Sequence, residues 1–113
     1  MTYTIEDIGK FKVVHLIGDV RTNEEAKAMT LELNKLAKKG HWNFCFNLEQ
    51  ANYLDSSGIS IFIHTLAMTE NGKGSVFMVV LEPEVKDVIE LAGLDKLIKT
   101  YSTMDEFKKD HQL

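Results

Sequence analysis

The chain has 113 residues, the length of one ordinary domain with room for a single core. Hydrophobic residues make up 44% and charged residues 27%, which excludes a disordered chain. A net charge of −4 and a pI near 5.5 leave no concentrated basic surface for nonspecific nucleic-acid binding.

In chain order, Thr2–Asp7 reads as a first edge strand, and Gly9-Lys10 as the turn into a second strand over Phe11–Ile17. Gly18–Asn23 is polar and reads as a loop, with Thr22 or Asn23 capping a helix of about residues 24–39. That helix sets Ala26, Met29, Leu33, Leu36 and Ala37 along one stripe, and Gly40 ends it. Lys35, Lys38 and Lys39, the only dense basic group, sit near its C-terminus and complement the helix dipole. Trp42–Leu48 is the next strand, short, aromatic and apolar around Phe44-Cys-Phe-Asn-Leu48. A second long helix follows to about Asn71, then a turn over Asn71-Gly-Lys-Gly74. Ser75–Leu81 is a continuous apolar strand, the pattern of burial on both faces.

Pro83 suits the first turn of a short helix that carries Val85, Val88, Ile89 and Leu91 inward and stops at Gly93. Leu97–Tyr101 is read as a last short strand. Ser102 or Thr103 then caps a final helix through Lys109, with Glu106 completing a partial capping box and His111 in a frayed tail. The β-α-β-α alternation predicts an α/β domain with a mainly parallel sheet.

The run Asn47-Leu-Glu-Gln-Ala-Asn-Tyr-Leu-Asp-Ser-Ser-Gly58 joins a strand end to a helix start through hydroxyls. Asp55 stands where an N-cap belongs, so Ser56 and Ser57 fall at the mouth of the helix, where free amides and the dipole favour an anion. Two accounts stay open on local chemistry. Asp, Ser and Gly are ordinary cap and turn residues, and Gly58 admits close packing of the first turn against the sheet. Alternatively, Ser56 accepts a phosphate at a place prepared for negative charge. Ser57 is then expected to hydrogen-bond the free amides of the first turn.

Other chemistries find less support. A nucleophilic serine needs a base in reach and an acid to orient it, and neither His15, His41, His64 nor His111 is placed by sequence to serve Ser56 or Ser57. The G-x-S-x-G elbow is absent, and Gly72-Lys-Gly74 lacks the Walker spacing, so neither an enzyme nor a cofactor is expected. No Cys/His pair has metal-ligand spacing, so no metal is expected either. Met29, Met68, Met78 and Met104 read as core fillers. Cys45, the single cysteine, is expected to be a buried structural thiol in a reducing compartment. The opening Met1-Thr-Tyr-Thr-Ile-Glu-Asp lacks the form of a signal peptide, and no apolar run approaches the roughly 20 residues of a membrane span. A soluble, cytoplasmic protein is the expectation.

Three segments together resemble the STAS domain of the bacterial anti-sigma-factor antagonist family. Asn47-Leu48 leading through Tyr53-Leu54 to Asp55-Ser-Ser-Gly-Ile59 is similar to the family's phosphorylation signature. Pro83-Glu-Val-Lys-Asp-Val-Ile-Glu-Leu-Ala-Gly-Leu94 is similar to its proline-started helix ending in Gly-Leu. Ile98-Lys-Thr-Tyr-Ser-Thr-Met-Asp-Glu-Phe107 resembles the closing strand, cap and acidic start of the last helix. The resemblance covers almost the whole length. It implies a single domain over 1–113 with a small mixed, mainly parallel β-sheet and flanking helices, wound as successive βα units. It implies that Ser56 is phosphorylated by a partner kinase that doubles as an anti-sigma factor, with Asp55, Ser57 and Gly58 supporting the site. The unphosphorylated antagonist then binds the anti-sigma factor and frees sigma, phosphorylation ends the binding, and a PP2C-type phosphatase restores it.

The chain departs from the family in one loop. Many relatives carry an aspartate in a Gly-x-Leu/Ile-Asp segment, whereas this sequence reads Gly18-Asp19-Val20-Arg21. Asp19, Arg21 and Thr22 form a candidate partner-contact loop. Arg21 is a solvated loop charge, a counter-ion for phosphate on Ser56, or the mark of a different partner class. The competing functional expectation is a binding or scaffold module of the same fold, in a signalling complex or transport system, that is never phosphorylated.

Overall fold

The computed structural model describes residues 1–113. In order along the chain come β1 (Thr2–Ile8), β2 (Phe11–Val20), α1 (Glu24–Lys38), β3 (Asn43–Leu54), α2 (Ser56–Asn71), β4 (Ser75–Val80), α3 (Pro83–Leu91), a 3₁₀ turn over Leu94–Lys96, β5 (Lys99–Tyr101) and α4 (Met104–Asp110). The five strands lie in the order β1-β2-β3-β4-β5. β1 and β2 form an antiparallel hairpin, turned at Gly9-Lys10, where Gly9 takes a left-handed φ of 58°. Every other pairing is parallel. The α/β class and the mixed, mainly parallel sheet expected from the sequence are therefore present.

Strand alternation divides the interior in two. Val14, Leu16, Phe44, Phe46, Leu48, Val76, Met78 and Val80 point to one face of the sheet. They pack there against Met29 and Leu33 of α1, Phe62 of α2, and Val85 and Ile89 of α3. Phe11, Val13, Cys45 and Val79 point to the other face, where Met104 and Phe107 of α4 close a smaller cluster. Cys45 is fully buried, and burial pushes its thiol up to about 12, so it is an inert packing residue at neutral pH.

Caps mark the helix ends. Asn23 accepts from the Ala26 amide at 2.9 Å, and Thr103 accepts from the Glu106 amide at 3.2 Å. Glu106 reaches back to the Ser102 amide at 3.1 Å, one residue before the cap, in a variant of the capping box. Gly40, at φ 91°, follows the end of α1 as the sequence indicates. No helix is long and apolar enough to cross a membrane.

The structure corrects the sequence reading in four places. β2 runs to Val20 and β3 to Leu54, well past the predicted ends at Ile17 and Leu48, because these polar segments pair with one another (Ile17↔Gln50, Gly18↔Ala51, Asp19↔Tyr53, Val20↔Leu54). Leu91 is 88% exposed rather than inward, since it falls off the Val85–Ile89 stripe and Leu94 fills the adjoining space from the 3₁₀ turn. Leu97 ends that 3₁₀ turn, exposed, and β5 starts two residues later. His111 is not frayed. It caps the C-terminus of α4 and sets its ring 4.5 Å from Phe77 and 4.7 Å from Phe107, centroid to centroid.

Phe107 meets the rings of Phe11 at 5.1 Å, Phe77 at 5.8 Å and Tyr101 at 5.5 Å, and it is the main anchor of a helix only seven residues long. Phe107→Ala should therefore lower unfolding stability by about 3–5 kcal/mol in urea titration. Leu91→Ala, at an exposed position, should stay within about 0.5 kcal/mol of the parent.

Candidate functional site

The loop between β3 and α2 is built by the overhang of β2 and β3 beyond β4. β4 pairs with β3 only as far as Leu48, so Glu49–Leu54 runs on beside β2 alone and delivers Asp55 to the rim of the sheet. There Asp55, in extended conformation, becomes the N-cap of α2. Its Oδ1 accepts from the Gly58 amide at 3.0 Å and from the Ser57 hydroxyl at 2.5 Å. These two donors, the hydroxyl first, hold the Asp55 carboxyl below the ordinary aspartate range, and the nearby Arg21 charge adds to the effect.

The end of β2 is tied to the same turn. The Asp55 amide donates to the Val20 carbonyl at 3.5 Å. The Thr22 amide donates to Ser57 Oγ at 3.0 Å, and Thr22 Oγ1 donates to the Ser57 carbonyl at 2.9 Å. Gly58 is buried in this junction, and a Cβ there would collide with the Val20 carbonyl oxygen and approach Leu54 Cδ1 to 2.7 Å. Close backbone approach is thus the reason for glycine at this position.

The two serines consequently differ. Ser57 relays between Asp55 and Thr22, bridging to the neighbouring loop instead of binding the first-turn amides. Ser60, one turn on, donates to the Ser57 carbonyl at 2.6 Å. Ser56 is exposed, and its hydroxyl makes no hydrogen bond within the chain. It projects at the first residue of a 16-residue helix, beside free amides.

Asp19, Arg21 and Thr22 come together with this turn. Arg21 lies 4.9 Å above the Tyr53 ring and 3.4 Å from Asp19 Oδ2, a loose ion pair between half-exposed side chains. Tyr53 was not singled out from the sequence as a site residue. Its signal was a large aromatic, 45% exposed here, in a stretch otherwise polar on that face. A groove of about 580 Å³ between α1 and α2 opens from the same corner, with Thr22 and Ser60 at one end and Leu31 and His64 along its walls.

The histidines lie elsewhere. His64 meets Asn34 at 3.2 Å, and His15 bridges Glu6 at 2.8 Å and Asn47 at 2.9 Å, so none contacts either serine. No three His, Cys, Asp or Glu side chains are grouped to hold a metal ion.

A topology of this kind, with a capped serine turn at the rim of the sheet, defines a class. The STAS domain family model matches residues 2–107, and the chain belongs to that family. Its structural neighbours include anti-sigma factor antagonists. SpoIIAA in its unphosphorylated form shares 15% identity at a TM-score of 0.78, with 97% of this chain and 96% of SpoIIAA covered. The phosphorylated form of the Bacillus protein matches at 15% identity and a TM-score of 0.76, covering 96% and 98%. An anti-sigma factor antagonist from Mycobacterium paratuberculosis shares 24% identity at 0.78, covering 93% and 88%. A Thermotoga maritima protein shares 17% identity at 0.86, covering 98% and 95%. At such identities the likeness establishes a common fold.

Two outcomes follow from the turn. Gly58→Ala should destabilise the domain by about 1–3 kcal/mol, read from urea unfolding, because Val20 and Leu54 must shift to admit the methyl group. For Asp55, the folded carboxyl titrates below its unfolded value, so its charge contributes stability above about pH 3.9 and loses it as acid carries the solution through the folded pKa. Asp55→Asn keeps a capping oxygen but not the charge. Its deficit in melting temperature at pH 6 should narrow steadily on acidification.

Proposed function

We propose that this STAS domain is an anti-sigma-factor antagonist that acts as a partner switch, with Ser56 as phosphoacceptor. The observation that carries the reading is the contrast between the serines: Ser56 is exposed and unengaged, while its neighbour is tied to Asp55 and Thr22. A kinase docking at this rim meets one free hydroxyl. Its transfer reaction forms the Oγ–P bond and breaks the bond between the β- and γ-phosphates of ATP. ADP leaves, and a base on the kinase takes the serine proton.

The fold is suited to carry the product. Phosphate adds about −1.5 to −2 charges beside a helix terminus that favours an anion by roughly 0.3–1 kcal/mol. SpoIIAA adopts this same fold with and without the modification. A bound partner is affected far more. Burying that charge unpaired in an interface costs about 3–4 kcal/mol, equivalent to a several-hundredfold weaker complex. The partner is accordingly an anti-sigma factor that is also a serine kinase, met when Ser56 is unmodified and released afterwards. A PP2C-type phosphatase resets the switch, and the regulation of transcription is indirect. The protein itself would perform no catalysis and carry no cofactor in this cycle, which would run in the cytoplasm.

Incubation with the cognate kinase and ATP, followed by mass spectrometry, tests the assignment. One phosphate should map to Ser56 and be absent from Ser56→Ala. Equal uptake by the mutant would refute it. Ser56→Asp should weaken capture of the anti-sigma factor in the same direction as phosphate. Undiminished capture would instead favour a STAS scaffold module that works without phosphorylation.

A further inference from the structure

Arg21 stands where the serine turn and the β2 overhang are laced together, and no interaction within the fold fully employs it. Val20 accepts from Asp55, and Thr22 exchanges two hydrogen bonds with Ser57. Residues 20 and 22 are thus bound to residues 55 and 57, which sets Arg21 opposite Ser56. The guanidinium is pre-oriented by the Tyr53 ring at 4.9 Å. Its one ionic contact, to Asp19 at 3.4 Å, is longer than the roughly 2.7–2.9 Å of a charge-assisted hydrogen bond. Asp55, next to Ser56, already feels the Arg21 charge.

We propose that Arg21 is a phosphate clamp: once Ser56 carries a phosphoryl group, the guanidinium leaves Asp19 and pairs with the phosphate oxygens, remaining stacked on Tyr53. The inference rests on Ser56 being the phosphoacceptor. It adds a second action to the switch. Modification places a dianion at the rim and at the same moment withdraws the guanidinium from the surface a partner meets. Guanidinium geometry suits this role, because its planar fork donates to two phosphate oxygens at once, and an aromatic face restricts its rotamers beforehand. In the unmodified protein the same arginine remains half-exposed and available to an acidic group on the docking partner.

The experiment installs phosphoserine at position 56 by genetic encoding, so that no kinase is required, and follows its second ionisation by ³¹P NMR. Free phosphoserine titrates near pH 6. The charged groups nearest the site are Asp19 and Arg21 at the end of β2 and Asp55 beside the serine, with the Glu24–Lys27 ion pair of α1 bordering the groove that opens from the same corner. With Arg21 intact the phosphate should titrate about one unit lower than in the Arg21→Gln variant, the size expected for loss of an adjacent cation. Arg21→Lys should recover part of the shift. A phosphoserine placed instead at exposed Ser102 should titrate alike in the presence and absence of Arg21. Equal midpoints at position 56 in the parent and Arg21→Gln, or an equal Arg21 dependence at Ser102, would overturn the clamp. Because the phosphate is supplied without a kinase, these outcomes are separate from whether a kinase selects Ser56.

Discussion

The parallel pairing of β2 with β3, continued beyond the rest of the sheet, is the constraint on which this molecule depends. A four-residue stretch of mixed polarity, Ile17 to Val20, runs beside Gln50 to Leu54 and past Ile17 has no other strand partner, and the register slips twice on the way, between His15 and Ile17 and between Gly18 and Asp19. Such slips bend and twist a strand pair. Here they end with Val20 and Leu54 buried against the helical face, while Tyr53 and Asp19 stay near solvent. The junction is then sealed by the approach of α2 to the Val20 carbonyl, which only a residue without a Cβ permits. A chain that held the sheet but lost this overhang would keep its core and scatter Arg21, Thr22, Asp55 and Ser56.

The second face of the sheet shows how little more is needed. α4 is short, and its cluster of Phe11, Phe77, Tyr101, Phe107 and His111 covers the N-terminal half of the parallel strands. Beyond it the face turns polar. Asn47, nearly buried, donates to His15 Nδ1 and accepts from the Glu49 amide, while Glu49 accepts from the Met104 amide at the start of α4. Each buried polar side-chain atom therefore has a partner, as a stable interior requires. Glu49 links the two halves of the molecule: it lies on the overhang, yet it also secures the helix that closes the opposite face.

The elements bounded by strong local chemistry were legible from the residues alone. Pro83, Gly40, Asn23, Asp55 and Thr103 act through backbone geometry or a cap within three residues, and all five occupy the positions their chemistry indicates. The misses share a different cause. Gly18, Asp19 and Gln50 have no strand propensity, and they are extended because another segment more than 30 residues away pairs with them, while Glu49 and Asn52 are carried along at the two register shifts. Leu91 and Leu97 are apolar yet exposed, since Leu94 and Ile98 fill the interior between them. At the site, the cap position of Asp55 pointed to Ser56 and Ser57, and departure from the pattern of the family it resembles pointed to Arg21. The bridge from Ser57 to Thr22 and the stack of Arg21 on Tyr53 are tertiary, and no periodicity encodes them.

The switch proposed for Ser56 would have to meet two opposing demands at one turn. The modified group must be free, or its reaction would break structure; the backbone around it must be braced, or the turn itself would shift when the charge is added. Adjacent serines divide the work. Ser57 lends its hydroxyl to Asp55 and takes an amide from Thr22, so the turn is braced from both strands. Ser56 contributes nothing to that bracing, and the fold loses no internal hydrogen bond when its oxygen is esterified. Exchanging the roles would fail on energetic grounds. A phosphate on Ser57 would confront the Asp55 carboxylate with a second anion at hydrogen-bond distance and remove the donor that stabilises it. The selectivity between two neighbouring hydroxyls can thus reside in this protein's own turn.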